Sequence, residues 1–203
     1  LKRQTLVELE LFKLNFEQLN TDRAKESLDL IGEQLKKLED TKLGVKYLSS
    51  KIQFSELMQE LDTALTLSNQ CVEISQRMGQ AEDLANCLAS RADIYLKFGE
   101  YESAIPDYQL SLSYLETVPF SKKRLSVYKN LAESFRNIED FSSAFNYTQR
   151  YAALQDSILN ENRVIAVNNL TYKYETRQKN TEIKLLEKEN ALAEESNQQQ
   201  KRA

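Results

Sequence analysis

The stretch LKFGEYESAIPDY, from Leu96 to Tyr108, contains one of only four glycines in the 203 residues of the chain. Gly99 is followed by Tyr101, Ala104 and Tyr108, at the three- and four-residue spacing of one helix face. A glycine just before such a face is a turn signal. We interpret the stretch as the elbow between two helices: Gly99 turns the chain, Ala104 lets the helices approach and the two tyrosines pack.

The same columns of residues return every forty residues along the chain. Twelve positions before each elbow alanine and fourteen positions after it, the residues also keep their apolar character over several copies. Several columns in one register indicate stacked copies of a single unit. The elbow alanines are Ala24, Ala64, Ala104 and Ala144.

Composition predicts an all-α protein. The chain has four glycines and two prolines, 41% hydrophobic and 29% charged residues, and its straight-chain residues favour helices. The 27 basic and 31 acidic residues are interspersed, so no basic stripe indicates nucleic-acid binding by this segment. No apolar run approaches the ~18 residues that a membrane span needs. We expect any span to lie outside this chain, which we interpret as a fragment of a longer protein.

Each unit predicts two helices, and the third and fourth units carry the clearest pattern. The third has Leu88, Arg91, Ala92 and Tyr95 before Ala104 and Tyr108; in the fourth, the corresponding residues are Tyr128, Leu131, Ala132, Phe135, Ala144 and Thr148. This spacing resembles the tetratricopeptide repeat, with its W-x2-L-G-x2-Y…A-x3-F…P signature. The resemblance covers roughly residues 1–158 and implies an α-solenoid of helix pairs. We place the units near 5–44, 45–84, 85–124 and 125–158.

Residues 159–203 predict a long charged helix, because no glycine or proline occurs from Phe120 to Ala203. Its apolar stripe is broken, since a strict heptad fails around Arg177 to Thr181. Such a helix either packs back on the repeats or pairs with a second copy as a coiled coil. We expect a homodimer through 159–203. The stripe consists of Ile165, Leu170, Tyr174, Ile183, Leu186 and Leu192.

The run from Tyr151 to Leu192, YAALQDSILNENRVIAVNNLTYKYETRQKNTEIKLLEKENAL, carries a second resemblance. It looks like the end of the repeat region in bacterial membrane-anchored sensors, which include tetratricopeptide-containing sensor histidine kinases and related helix-turn-helix regulators. That resemblance implies a repeat domain on the periplasmic side of the inner membrane, followed by a span and an output module. The kinase or DNA-binding residues of those proteins would lie beyond Ala203.

In the tetratricopeptide family, the first helix of each unit lines a concave surface that binds extended partners. Only Lys129 and Asn130 match the lysines and asparagines with which such repeats grip a C-terminal carboxylate, so that ligand is disfavoured. Extrapolation by register gives the candidate partner-binding residues Lys46, Ser49, Gln53, Asn86, Ala89, Asp93, Lys129, Asn130, Glu133 and Arg136.

Cys71 and Cys87 lie eight residues to either side of Gly79. If Gly79 marks a helix–helix turn, the two cysteines face each other across an antiparallel pair. A disulfide and two small buried thiols are both open interpretations. Because the chain has no histidine, two thiols alone are too few ligands for a metal site, and we predict neither a metal nor a cofactor.

The sequence therefore predicts a non-catalytic sensor or interaction domain that binds a peptide or protein on the solenoid and relays the state through the tail helix. No glycine-rich phosphate loop and no nucleophile–base arrangement supports an enzyme. The alternatives are a cytoplasmic peptide-responsive regulator with tetratricopeptide-like repeats and a simple assembly scaffold.

Overall fold

The computed structural model describes residues 2–35, 41–116 and 122–202, with side chains for residues 2–35, 42–116 and 123–188. Within these ranges the regular structure is entirely helical. The helices are α1 (Lys2–Glu17), α2 (Thr21–Leu35), α3 (Thr41–Leu57), α4 (Leu61–Met78), α5 (Ala81–Phe98), α6 (Tyr101–Leu115), α7 (Lys122–Asn137) and α8 (Phe141–Arg202).

The first helix of each pair ends in the same hydrogen-bonded turn, repeated at forty-residue intervals. In each turn a backbone N–H reaches back five residues to a carbonyl, as in the Schellman motif that closes many helices. The bonds run from Asn20 to Asn15, from Glu60 to Ser55, from Glu100 to Tyr95 and from Asp140 to Phe135, at 2.9, 2.8, 2.9 and 2.9 Å. The elbow predicted around Gly99 is thus one of four equivalent turns.

One residue in each of these turns takes the left-handed conformation. Gly99 has a φ of 77°, which a residue without a Cβ adopts readily. At the equivalent positions the residues are Leu19, Gln59 and Glu139, with φ values of 55°, 63° and 64°. Side-chain-bearing residues adopt this region at a cost. The geometry of the turn is therefore imposed by the packing of the helices, and glycine satisfies it without strain at only one of the four turns.

The elbow alanines let the two helices of each pair approach closely. Ala24, Ala64 and Ala104 have no exposed surface, and Ala144 is 9% exposed. Large side chains fill the space around them: Phe12, Ile52 and Tyr108 are almost completely buried. Small residues beside large ones give the close packing of a solenoid of helix pairs.

The first helix of each later pair packs on the preceding pair. On α3, Tyr47 and Phe54 pack against the core formed by Phe12, Ala24 and Leu28 of the first pair. On α5, Cys87 and Ile94 belong to the core cluster that α3 and α4 contribute to. The units share continuous apolar cores, as repeat proteins do.

The end of the chain differs from the sequence prediction in one respect. The second helix of the fourth pair and the predicted tail helix are a single helix, α8, of 62 residues. By its contacts the chain divides into residues 1–153 and 154–203, and this division lies inside α8. The reason is that no glycine or proline interrupts the helix after Phe141. Residues 154–202 alone would measure ~75 Å at 1.5 Å per residue.

No helix among the described residues combines the length and the apolar character that crossing a membrane requires.

The strained turns give a first prediction. Replacing Glu139 with glycine should raise the free energy of unfolding by about 0.5–1 kcal/mol, because glycine adopts positive φ without steric cost. The reverse change, Gly99→Ala, should lower it by about the same amount. A Cβ added at Gly99 would meet no atom within 4 Å, so the loss there would come from the backbone alone. Urea unfolding followed by circular dichroism measures both; an unchanged midpoint for Gly99→Ala would contradict this account.

Candidate functional site

The first helices of successive units form a continuous row, because α1 contacts α3, α3 contacts α5 and α5 contacts α7. Residues at one register position along this row share a face. Lys13, Gln53, Asp93 and Glu133, each forty residues apart, form such a column of polar side chains. This row is the surface on which the sequence placed its candidate residues.

A groove with a cavity of about 300 Å³ lies along α1, α3 and α5. Its apolar part is formed by Leu9 and Val45, which are buried, and by Leu6, which is 44% exposed. The polar part comes from the same three helices. The full lining is Leu6, Leu9, Glu10, Lys13, Val45, Lys46, Ser49, Ser50, Gln53, Glu82, Asp83 and Asn86.

Charges of both signs surround this groove. Lys13 Nζ forms an ion pair with Glu10 Oε1 at 2.8 Å. The hydrogen bond from Lys13, followed by its charge and that of Lys46, lowers the pKa of Glu10. Glu82 and Asp83 lie in the first turn of α5, where the helix dipole favours carboxylates. Three carboxylates and two ammonium groups leave the groove with a net negative charge, concentrated at its α5 side.

Further along the row, Asp93 on α5 is the centre of a polar network. Its Oδ1 accepts hydrogen bonds from Tyr108 Oη at 2.6 Å and from Asn130 Nδ2 at 2.9 Å. Its Oδ2 accepts one from Lys123 Nζ at 3.0 Å. The network thus joins α5, α6 and α7. Asp93 is only partly buried, and three donors satisfy its carboxylate.

Tyr108 combines packing with this polar role. Its side chain is completely buried. Burial, followed by the negative charge of Asp93 and the hydrogen bond to it, raises the pKa of Tyr108 well above its usual value. The hydroxyl therefore stays protonated and acts as a donor to Asp93.

A second set of polar contacts, centred on Arg91, joins α5 to α6 and α4. Arg91 on α5 donates to Asp107 on α6 through Nε at 2.6 Å and Nη2 at 2.7 Å. Its Nη1 also donates to Asn69 on α4 at 3.0 Å. Bidentate arginine–carboxylate pairs set the orientation of their partners closely. Arg91 therefore ties together three helices from two adjacent units.

Glu56, at the end of α3, forms an ion pair with Lys97 of α5, with 3.2 Å between Oε1 and Nζ. The Glu56 side chain is 18% exposed. Burial raises its pKa, and the positive charge of Lys97 opposes that shift without cancelling it. The negative charge of Asp93 adds to the increase.

Comparisons with known proteins point to one fold. A Signal Transduction ATPase with Numerous Domains protein with a tetratricopeptide repeat sensor, from Pyrococcus horikoshii, matches 78% of this chain with 25% of its own length, at a TM-score of 0.66 and 23% identity. The apo form of RapI matches 78% of this chain with 58% of its own length, at a TM-score of 0.72 and 13% identity. A putative kinesin light chain of Podosopora anserina with nearly identical TPR-like repeats gives a TM-score of 0.65 and 16% identity, covering 76% of each chain.

The fold is that of the tetratricopeptide repeat. The resemblance predicted from the third and fourth units is thereby confirmed, as is the all-α solenoid with a long C-terminal helix. No family model and no curated protein matches the chain. The chain spans a quarter of the length of the ATPase and somewhat more than half of RapI. These identities, all below 25%, establish the tetratricopeptide fold alone.

The predicted partner-binding residues fall into separate groups along the row of first helices. Four of them line the groove: Lys46, Ser49, Gln53 and Asn86. Asp93 and Asn130 belong to the polar network, so their side chains bind each other. Glu133 is half-buried close enough to Tyr108 for its charge to act on that hydroxyl. Lys129 and Arg136 are exposed and belong to neither group, whereas Ala89 is fully buried and lines nothing.

The sequence prediction missed the contribution of α1 to the groove. Leu6, Leu9 and Lys13 lie forty residues before Lys46, Ser49 and Gln53 and line the same cavity. The predicted residues begin in the second unit, because the first unit matches the repeat signature poorly. Extending the same register by one unit would have found all three.

Cys71 on α4 and Cys87 on α5 are joined by a disulfide, with their Cα atoms 5.6 Å apart. Gly79 between these helices takes the left-handed conformation, with a φ of 65°, so the helices turn back on each other there. Both sulfurs are buried, and the hydroxyls of Ser75 and Ser49 lie near them, at 3.3 Å from Cys87 Sγ and 3.9 Å from Cys71 Sγ. The disulfide therefore links the second and third units inside the core.

The described residues contain no group of three or more histidine, cysteine, aspartate or glutamate side chains that could hold a metal ion. On the row, Glu10 is bound to Lys13, and Asp93 to Tyr108, Asn130 and Lys123, whereas Glu82 and Asp83 lie in the first turn of α5. This arrangement suits recognition of a partner by shape and charge.

Glu56 gives a prediction with a defined pH dependence. Because burial raises its pKa in the folded state, folding favours the protonated form. Protonated Glu56 therefore contributes favourably to the free energy of unfolding below its unfolded pKa, and this contribution is lost as pH rises through its folded pKa. The variant Glu56→Gln should therefore be more stable than the wild type at pH 7, and this difference should shrink towards pH 4. Thermal unfolding at both pH values measures it, with Glu60→Gln as an exposed control. An equal difference at both pH values would contradict the prediction.

The disulfide gives another prediction. Reduction should lower the free energy of unfolding by ~3 kcal/mol, the value for a closed loop of about 15 residues. Urea unfolding with and without dithiothreitol measures the change. The double variant Cys71→Ala, Cys87→Ala is the control, and the reductant should leave its midpoint unchanged. A wild-type midpoint that does not respond to reductant would show that the bond contributes no stability.

Proposed function

We propose that this chain is a non-catalytic sensor domain that binds a peptide or protein segment in the groove along α1, α3 and α5. The observation that carries this proposal is the composition of the groove: a partly exposed apolar floor bordered by charged and amide side chains from three successive units. Concave solenoid surfaces of this kind bind extended chains.

The charges of the groove define the class of ligand. An apolar side chain of the ligand would cover Leu6, which is 44% exposed above the buried Leu9 and Val45. A lysine or arginine of the ligand would lie by Glu82 and Asp83. Lys13 is already bound to Glu10, which leaves Lys46 as the cation best placed to receive an acidic group at the other side. The proposed ligand is an extended segment with neighbouring apolar and basic residues.

The tail helix is the proposed relay. Within residues 154–188, its large apolar side chains are mostly exposed: Leu170 is 71% exposed, Tyr174 63% and Ile183 52%. An isolated helix that exposes such residues gains stability by pairing. We propose that two copies pair through residues 159–203 and that ligand binding alters this pairing.

The larger setting is a bacterial membrane-anchored signalling protein with its repeats in the periplasm. One observation supports the oxidising compartment of this proposal, and a second supports its signalling role. The disulfide between Cys71 and Cys87 suits an oxidising compartment. A protein of the same fold is described as a signal-transduction ATPase with a tetratricopeptide repeat sensor. A membrane span followed by a histidine kinase or helix-turn-helix module after Ala203 in the native gene would support this setting, and a stop codon or soluble continuation there would exclude it.

A second candidate is a cytoplasmic peptide-responsive regulator. The apo form of RapI shares the fold at a TM-score of 0.72, and the term apo implies that RapI binds a ligand, which supports a ligand-binding role for these repeats. In such regulators a DNA-binding module usually precedes the repeats, so the native sequence before Leu1 separates the two candidates. A simple assembly scaffold would show neither arrangement.

The groove can be tested with a library of random twelve-residue peptides displayed on phage and selected on the wild-type chain. We expect the enriched peptides to combine a lysine or arginine with a neighbouring apolar residue. Reversing the charge at Glu82 and Asp83 to lysine should weaken binding of an enriched peptide about tenfold or more, roughly 1.4 kcal/mol. The matched control is Asp62→Lys with Glu102→Lys, two exposed first-turn acids of second helices. Equal affinities in both variants would rule out the groove as the binding site.

The pairing of the tail can be tested by light scattering. The wild-type chain should have twice the 23.5 kDa mass of one chain. Leu170→Glu with Ile183→Glu should reduce it to one chain, because two charges in an apolar seam oppose association. Leu110→Glu, an exposed leucine on α6, is the control. One mass for all three proteins would refute dimerisation through the tail.

A further inference from the structure

One face of α1 exposes three large apolar residues at helical spacing. Val7 is 54% exposed, Leu11 41% and Leu14 50%. They follow one another at four and three residues, so they form a single stripe. This stripe is separate from the groove, whose α1 residues are Leu6, Leu9, Glu10 and Lys13.

The positions forty, eighty and one hundred and twenty residues later show what this stripe is built to do. In α5 the counterparts of Val7 and Leu14 are Cys87 and Ile94, which are 1% and 0% exposed. Both belong to the core cluster shared with α3 and α4 of the preceding unit. In α7 the counterparts of Val7 and Leu11 are Val127 and Leu131, both without exposed surface.

The counterparts in α3 and α5 also contact the preceding unit directly. Tyr47 and Phe54, the counterparts of Val7 and Leu14, pack on the core of the first pair. Arg91, the counterpart of Leu11, donates a hydrogen bond to Asn69 of α4. In the inner units the stripe is therefore the surface that the preceding unit covers.

The residues on α1 are apolar where an end unit needs polar ones. Solenoids end in capping repeats with a polar outer face. A different column shows what exposed positions look like here: Leu30, Gln70, Leu110 and Arg150, forty residues apart, are exposed in every unit and half of them are polar. At the other end of the stack, Thr148 is an exposed polar residue where Leu28, Ser68 and Tyr108 are buried.

We infer that the Val7–Leu11–Leu14 face is a stacking surface whose occupant is the second helix of one further repeat unit, supplied by the polypeptide that precedes Leu1. The inner units favour this source. Between the second and third units, only Gly79 and Gln80 separate α4 from α5, so a stacked helix reaches the next first helix directly along the chain. The inferred unit extends the repeat register, with a small residue forty positions before Ala24.

Thiol labelling tests this inference. A Leu14→Cys variant is made in the chain of residues 1–203 and in the full-length native polypeptide, and its reaction rate with a maleimide is measured without reductant. Cys71 and Cys87 are bonded and buried, so they give no background, and each protein without the Leu14→Cys change serves as the blank for any further cysteine. We expect labelling at least ten times slower in the full-length protein. Leu110→Cys is the control and should react equally in both, since its column is exposed in every unit.

Several outcomes would overturn the inference. One is equal labelling of Leu14→Cys in both proteins. Another is a native polypeptide with no repeat-length segment before Leu1. A third is a labelling rate of Leu14→Cys in the 1–203 chain that falls as protein concentration rises, together with a solution mass that the Leu14→Asp variant lowers. A second copy of the chain would then be the occupant of the face.

Discussion

Each helical pair depends on a backbone turn in which one residue takes a positive φ and the next N–H reaches back five residues. This turn fixes where the first helix ends, and it recurs at Leu19, Gln59, Gly99 and Glu139. The elbow alanine always lies five residues after the positive-φ residue, and its small side chain lets the two helices of the pair approach closely. The forty-residue register of the cores, the groove and the polar network follows from this constraint.

The contacts between units change character along the stack. The first pair meets the second mainly through aromatic and aliphatic side chains such as Tyr47 and Phe54. Further along, polar contacts join the units as well: Arg91 donates to Asn69 of the second unit, and Lys123 and Asn130 of the fourth unit donate to Asp93. Buried and half-buried polar contacts of this kind add little net stability, but each donor fits only one register. Their effect is to set how α5, α6 and α7 lie against one another.

Much of the fold could be predicted from the sequence because one stretch of it repeats. Gly99, the alanine column and the period of forty were sufficient for the helix pairs. The end of the repeats could not be located from the sequence. The absence of glycine and proline predicts the tail helix, but it also leaves no signal between that tail and the part of α8 that belongs to the fourth pair. Of the groove residues, Lys46, Ser49, Gln53 and Asn86 were found by register, and those of α1 were lost because the repeat signature fades in the first unit.

The network shows a different limit. Asp93 and Asn130 were predicted as candidate partner-binding residues; in the structure Asn130 donates to Asp93, and Lys123 donates to it from a position that no column marks. One residue of helix is a rotation of about 100°, so Lys129 and Asn130 point to different sides of α7. The sequence gives residue types, whereas pairing depends on which neighbouring helix lies opposite.

Helix α5 contributes to the groove, to the disulfide and to the Asp93 network. Glu82, Asp83 and Asn86 line the groove at its start, Cys87 is bonded to α4, and Asp93 holds Lys123 and Asn130 of α7. A ligand can bias a protein only by contacting two arrangements of it differently. In this solenoid, a ligand bound beside Glu82 and Asp83, as proposed, would contact the same helix that α7 is bound to. The disulfide restrains α5 against α4, and a displacement of α5 relative to α7 would break the hydrogen bonds that Asp93 accepts from Lys123 and Asn130. If the groove is the sensing site, Asp93 is the residue through which α7 would respond.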